Sequence, residues 1–294
     1  MKSTLRLFTI LIFSIISFSG FAQMPGLNFK IPYGNNAKVG KYADVNGIKM
    51  YYEEYGKGEP LIVIHGNGSQ IHDMGYQIEY FSKNYRVIAA DSRAHGKSGV
   101  GNVPLTYDLM ADDWAALLNT LHIDSVYVIG WSDGGILGLL LTIHHPEKVK
   151  KLATMGANLQ PDSSAVYGWA VRIVANLDKQ VDVKIANKDT TAPWSLLKMY
   201  LNLLGKQPNI PVNDLKKISA PSLILCADKD VITLEHTDEI FENIPHAQLC
   251  VFPGATHFIP VEDPELFNST VGKFFRDPFT RPDTRTHLEK MKIE

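Results

Sequence analysis

Ser132 stands in Gly130-Trp131-Ser132-Asp133-Gly134, after the aliphatic run Val126–Ile129 and before the apolar run Ile136–Ile143. That order reads as strand, sharp turn and helix with one serine at the apex. A residue at such an apex sits in strained backbone. Glycine two positions to either side removes the Cβ atoms that would clash there. A serine hydroxyl is a poor nucleophile at neutral pH. It needs a base within hydrogen-bond reach, and that base needs an orienting carboxylate. His257 follows the last apolar run and the turn Phe252-Pro253-Gly254-Ala255-Thr256, and is the candidate base. Asp228 and Asp230 follow the run Ser222–Ala227. Asp228 lies closest to the strand end, whereas Asp230 lies further into the loop, where its carboxylate can swing toward His257, and is the preferred acid. Acyl chemistry at Ser132 would create an oxyanion that needs fixed donors. The predicted pair is the backbone N–H of Asp133, directly after the serine, and that of Asn67, between Gly66 and Gly68.

The elements that must position these residues follow from period and length. Lys41–Val45 and Ile48–Tyr55 alternate around Asn46-Gly47, a hairpin signal. Leu61–Ile64, Arg86–Ala90, Val126–Ile129, Val149–Met155, Ser222–Ala227 and Gln248–Phe252 are short apolar runs, suited to strands covered on both faces. Helical spacing runs from Tyr107 to Leu121 with Thr106 as N-cap, and again near Leu234–Asn243 and Pro264–Phe275. Alternating strands and helices predict a mostly parallel eight-stranded α/β sheet with helices on both faces. In such a sheet ligands sit beyond the carboxyl ends of the strands, where Asn67, Ser132, Asp230 and His257 all fall. Residues 157–213 break the rhythm: they have helical spacing and no strand, and are read as a small helical cap. The core is then 23–156 and 214–276, and 277–294 is read as a loose polar tail.

At 294 residues the chain is long enough for one large α/β domain. A net charge of −2 with no basic stripe argues against a nucleic-acid partner. Lys2 and Arg6 precede the apolar segment Leu7–Phe18, and Gly20 and Ala22 follow. This is the pattern of a signal peptide over residues 1–22, cleaved after Ala22, which predicts an exported, periplasmic or extracellular protein with no membrane anchor after cleavage. Cys226 and Cys250 lie inside apolar runs and are read as two unpaired buried thiols. The histidines and acids lack metal-ligand spacing, and serine chemistry needs no cofactor.

Taken together, His65-Gly66, Asp91-x-Arg93-x-His95-Gly96-x-Ser98, Gly130-Trp131-Ser132-Asp133-Gly134, Asp230 and His257 make the chain resemble the α/β-hydrolase superfamily over nearly its whole mature length. Ala94 replaces the glycine usual in the second motif. The resemblance implies the α/β-hydrolase fold and places the catalytic acid at Asp230. Gly156-Ala157-Asn158 after the nucleophile motif looks like the branch containing valacyclovir hydrolase and the biphenyl hydrolase-like proteins. There, an acidic residue in the position of Asp133 contributes to binding a substrate amino group; the alternative is that Asp133 only favours the helix N-terminus electrostatically. Trp131, next to the serine, is taken as a second substrate contact. The implied activity is a serine hydrolase acting on a small-molecule carboxylic ester or lactone through an acyl-enzyme. A carbon–carbon hydrolase or an aminopeptidase with the same triad stays open, as does, more distantly, a binding protein on this fold.

Overall fold

Six apolar runs too short for helices pair with the N-terminal hairpin into one sheet. The computed structural model describes residues 26–291; the predicted signal peptide at 1–22 lies outside them. The strands are β1 (Lys41–Val45), β2 (Ile48–Tyr55), β3 (Glu59–Ile64), β4 (Tyr85–Ala90), β5 (Val126–Trp131), β6 (Val149–Met155), β7 (Ser222–Lys229) and β8 (Ala247–Thr256). Their order is β1-β2-β4-β3-β5-β6-β7-β8. β1/β2 and β2/β4 pair antiparallel, and the remaining pairs are parallel. Asn46 (φ 40°) and Gly47 (φ 80°) both take left-handed backbone, as the two-residue turn between β1 and β2 requires.

The helices are α1 (Gly75–Phe81), α2 (Tyr107–Thr120), α3 (Asp133–His144), α4 (Gly168–Ala186), α5 (Trp194–Lys206), α6 (Leu234–Asn243), α7 (Ile259–Glu262), α8 (Pro264–Arg276) and α9 (Thr284–Met291). Thr106 caps α2, its hydroxyl oxygen accepting the Leu109 N–H at 3.1 Å. The period of two along β3 sorts its side chains between layers: Ile62 and Ile64 pack with α2 and α3, Leu61 and Val63 with α1 and α8. All four are buried, each such side chain adding about 1.5–3 kcal/mol to the fold. α3 is buried along almost its whole length against β3, β5 and β6, so the helix that starts at the serine cannot shift without moving the core.

Residues 157–213 form no strand beyond an isolated bridge, Val166 to Ile232, and carry α4 and α5. These helices share a small core of Val181, Leu197 and Leu201. Two features differ from the sequence reading. α1 has no predicted counterpart, because seven residues are too short for a readable apolar stripe. The tail carries α9, an exposed helix that begins only after Pro282, past the last proline, with an Arg285–Glu289 pair one turn apart. Cys226 is buried, Cys250 half-buried, and both are free on neighbouring strands.

Candidate active site

The turn after β5 puts Ser132 at φ 57° and ψ −120°, a left-handed conformation rare for any residue with a side chain. Its flanking glycines are obligatory. A Cβ on Gly130 would lie 2.1 Å from the Gly134 carbonyl oxygen, and one on Gly134 would lie 2.1 Å from that of Ile64. The Ser132 N–H donates to Met155 O on β6 at 2.8 Å, tying the turn to the neighbouring strand.

The extra length of β8 carries the chain through Pro253 and Gly254 to His257. Its Nδ1 lies 2.6 Å from Asp230 Oδ1. Asp230 also accepts the N–H groups of Ala227, Val231 and Ile232. Burial alone would push the Asp230 carboxyl up. The His257 charge and hydrogen bond, with the Ile232 and Ala227 N–H groups, outweigh it and hold the carboxyl below its ordinary range. With Nδ1–H donated to a carboxylate, Nε2 is the nitrogen left to accept a proton. Asp228 lies elsewhere, its Oδ2 accepting the Gly254 N–H at 2.8 Å and bracing the β7–β8 connection.

One cavity is lined by Ser132, His257, Asn67 and Asp133 together. Among the described residues, the backbone N–H groups of Asn67 and Asp133 meet no acceptor. The Asn67 side-chain amide bridges three elements: it donates to Asp133 Oδ2 at 2.8 Å and to Tyr200 O on α5 at 3.3 Å. The Tyr107 hydroxyl lies beside the Asp133 carboxyl, short of good hydrogen-bond geometry. Burial raises the Asp133 carboxyl to about 6, while the Asn67 amide, Tyr107 and the His257 charge pull the other way. Trp131 forms part of the wall, but its indole N–H donates to His257 O at 2.8 Å, so its polar atom positions the histidine. The sequence reading made Trp131 a substrate contact; the structure leaves it only an apolar face to offer.

The family described as alpha/beta hydrolase fold matches residues 59–193. An Acinetobacter baylyi protein named (E)-2-((N-methylformamido)methylene)succinate hydrolase is 37% identical over 250 residues, covering 77% of this chain and 94% of that one. The chain belongs to the α/β-hydrolase family. The human serine hydrolase BPHL is 25% identical, covering 83% of this chain and 88% of its own. The enol-lactonase structure from Burkholderia xenovorans LB400 superposes with a TM-score of 0.66 at 21% identity, over 81% of this chain and all of that one.

This α/β-hydrolase uses its second motif as a buried brace. Arg93 clasps Asp113 through Nε (2.6 Å) and a terminal nitrogen (2.8 Å), both residues fully buried. Asp91 accepts the Ile71 and Lys97 N–H groups, and burial raises its carboxyl to about 6. His65 accepts the Ser92 N–H at Nε2, which leaves Nδ1–H to donate to Gly66 O. Burial, with His95 nearby, pushes His65 down to about 3, so it is neutral and holds the Asn67 loop in place. Ala94 adopts φ 64°, where glycine would be unstrained. Its carbonyl accepts the Tyr200 hydroxyl, while the Tyr200 ring stacks on His95 at 4.4 Å. The cap is thus bolted to the motif in which the substitution falls.

Sequence reasoning missed Gly156, Tyr107, Tyr200 and Asp73. Gly156 (φ 63°) leaves space for the His257 ring: a Cβ there would lie 2.6 Å from the imidazole. Its signal was present in Gly156-Ala157-Asn158, read only as a mark of ancestry. Tyr107 and Tyr200 read as ordinary members of helical stripes. Asp73 lies in the buried short helix Ile71–Met74, accepts the Ser69 hydroxyl at 2.7 Å, and reaches the cavity wall.

Proposed function

We propose that the protein is an exported serine hydrolase that cleaves a carboxylic ester or lactone through an acyl-enzyme. The observation that carries this reading is the convergence on one cavity of a strained, half-buried serine at the turn apex, a histidine clasped by a saturated buried carboxylate, and two backbone N–H groups that meet no acceptor among the described residues. His257 Nε2 takes the Ser132 hydroxyl proton as Oγ attacks the carbonyl carbon. The negative charge that develops on the carbonyl oxygen is met by the Asn67 and Asp133 N–H groups. Collapse expels the alcohol, which takes the proton from His257, and leaves the acyl group on Ser132. Water repeats the sequence and releases the acid. Asp230 holds His257 in the productive tautomer and stabilises the imidazolium formed in each half.

The test is trapping. A fluorophosphonate should add its phosphonyl group to Ser132, found by peptide mass, in wild type but not in Ser132→Ala. Labelling at another residue would overturn the assignment. The leader at residues 1–22 supports export. Full-length chain expressed in a Gram-negative host should yield a soluble protein beginning at Gln23, and an intact Met1 on secreted or periplasmic material would contradict that part.

A further inference from the structure

A second cavity of about 160 Å³ adjoins the site cavity of about 150 Å³. Val166, Val174, Leu201 and Leu204 belong to the walls of both. The first two come from the start of the cap and α4, the last two from α5. The two spaces, together the trough, adjoin across this shared wall between the cap helices, and the wall is wholly aliphatic. Gly205 lies at the far end, where a Cβ would make ordinary van der Waals contact with Val174 at 3.4 Å.

The charges along the trough are asymmetric. Among the described residues lining the site cavity there are two buried aspartates, Asp73 and Asp133, and no Lys or Arg. In the outer cavity Asp178 is paired with Lys198 at 2.7 Å, and Lys206 is exposed at the end of α5. A carboxylate held close to Ser132 would be stripped of water with no cation to receive it and two acids nearby. The Acinetobacter relative is named for a succinate, a dicarboxylate; among the described residues this cavity offers no Lys or Arg for such a group.

Building on the ester or lactone reading, we propose that the substrate carries an uncharged aliphatic arm that lies between α4 and α5, and that short acyl groups ending in a carboxylate are rejected. The arm gains from burial against the shared aliphatic wall, and each methylene that enters it strengthens transition-state binding.

The experiment is a 4-nitrophenyl ester series from acetate to octanoate, with the mono-succinate ester added, on wild type, Ser132→Ala, Leu204→Trp and Leu204→Ala. In wild type, kcat/KM should rise from acetate to octanoate by about tenfold or more. Leu204→Trp should lower kcat/KM for octanoate at least about fivefold more than for acetate, and Leu204→Ala should keep the rise. The succinate ester should be turned over at least about fiftyfold more slowly than butyrate. A flat or falling series in wild type, an equal loss on acetate and octanoate in folded Leu204→Trp, or succinate turned over like butyrate would each overturn the proposal. Turnover of every ester independent of Ser132 would instead overturn the hydrolase reading beneath it.

Discussion

Asp133 shows most clearly how a buried carboxyl in the site cavity makes stability depend on pH. Its carboxyl titrates near 6 when folded and near 4 when unfolded. Between these values the folded chain holds a proton that the unfolded chain releases, so this group makes stability fall as pH rises and costs most above pH 6. Asp133→Asn keeps an oxygen for the Asn67 amide and removes the buried charge. Its stability relative to wild type should therefore increase from pH 4.5 to pH 7.5 by about 2 kcal/mol, measured by urea unfolding at both values. A pH-independent difference would contradict the assignment. Asp230 has the opposite sign: its lowered folded value stabilises the fold above the unfolded value, and that contribution is lost as pH falls. Gly156 is the other single-residue test. Gly156→Ala should displace the His257 ring and lower kcat about a hundredfold, while circular dichroism stays native. Unchanged kcat would mean that the ring does not need that space.

At the scale of elements, the site is a meeting of loop ends held from below and from above. From below, the Arg93–Asp113 pair ties the loop after β4 to α2. Removing one partner strands a buried charge, so Arg93→Ala should cost about 3–5 kcal/mol, visible as a large drop in the urea midpoint. A loss under 1 kcal/mol would show the brace to be dispensable. From above, Tyr200 and Gln207 fasten α5 to the core, Gln207 accepting the Tyr107 N–H at 3.2 Å. The strands, the longer helices of the core and the sharp turn at Ser132 were legible in the sequence because their signals are local: period two, period 3.6 and glycine spacing. The choice of Asp230 over Asp228 was legible through its place in the loop, and the structure sets the Asp230 carboxyl against His257. The role of Trp131, the space at Gly156 and the cap contacts were not legible. Each depends on which side chain from a distant segment arrives opposite, and no periodicity records that.

Over the whole molecule, the functions divide between the two parts of the chain. The sheet and its two helical layers position Ser132, Asp230 and His257. Residues 157–213 supply the aliphatic wall of Val166, Val174, Leu201 and Leu204, so the proposed substrate arm lies in the segment with the weakest sequence signal. The central claim is that Ser132 is the nucleophile of an ester hydrolase, and kcat/KM for 4-nitrophenyl butyrate on wild type and Ser132→Ala tests it most directly. The account predicts that Ser132→Ala folds with an unchanged melting temperature to within about 2 °C and loses at least about a thousandfold in kcat/KM, leaving the small rate due to binding and the oxyanion donors. Near-wild-type turnover by a folded Ser132→Ala protein would contradict it.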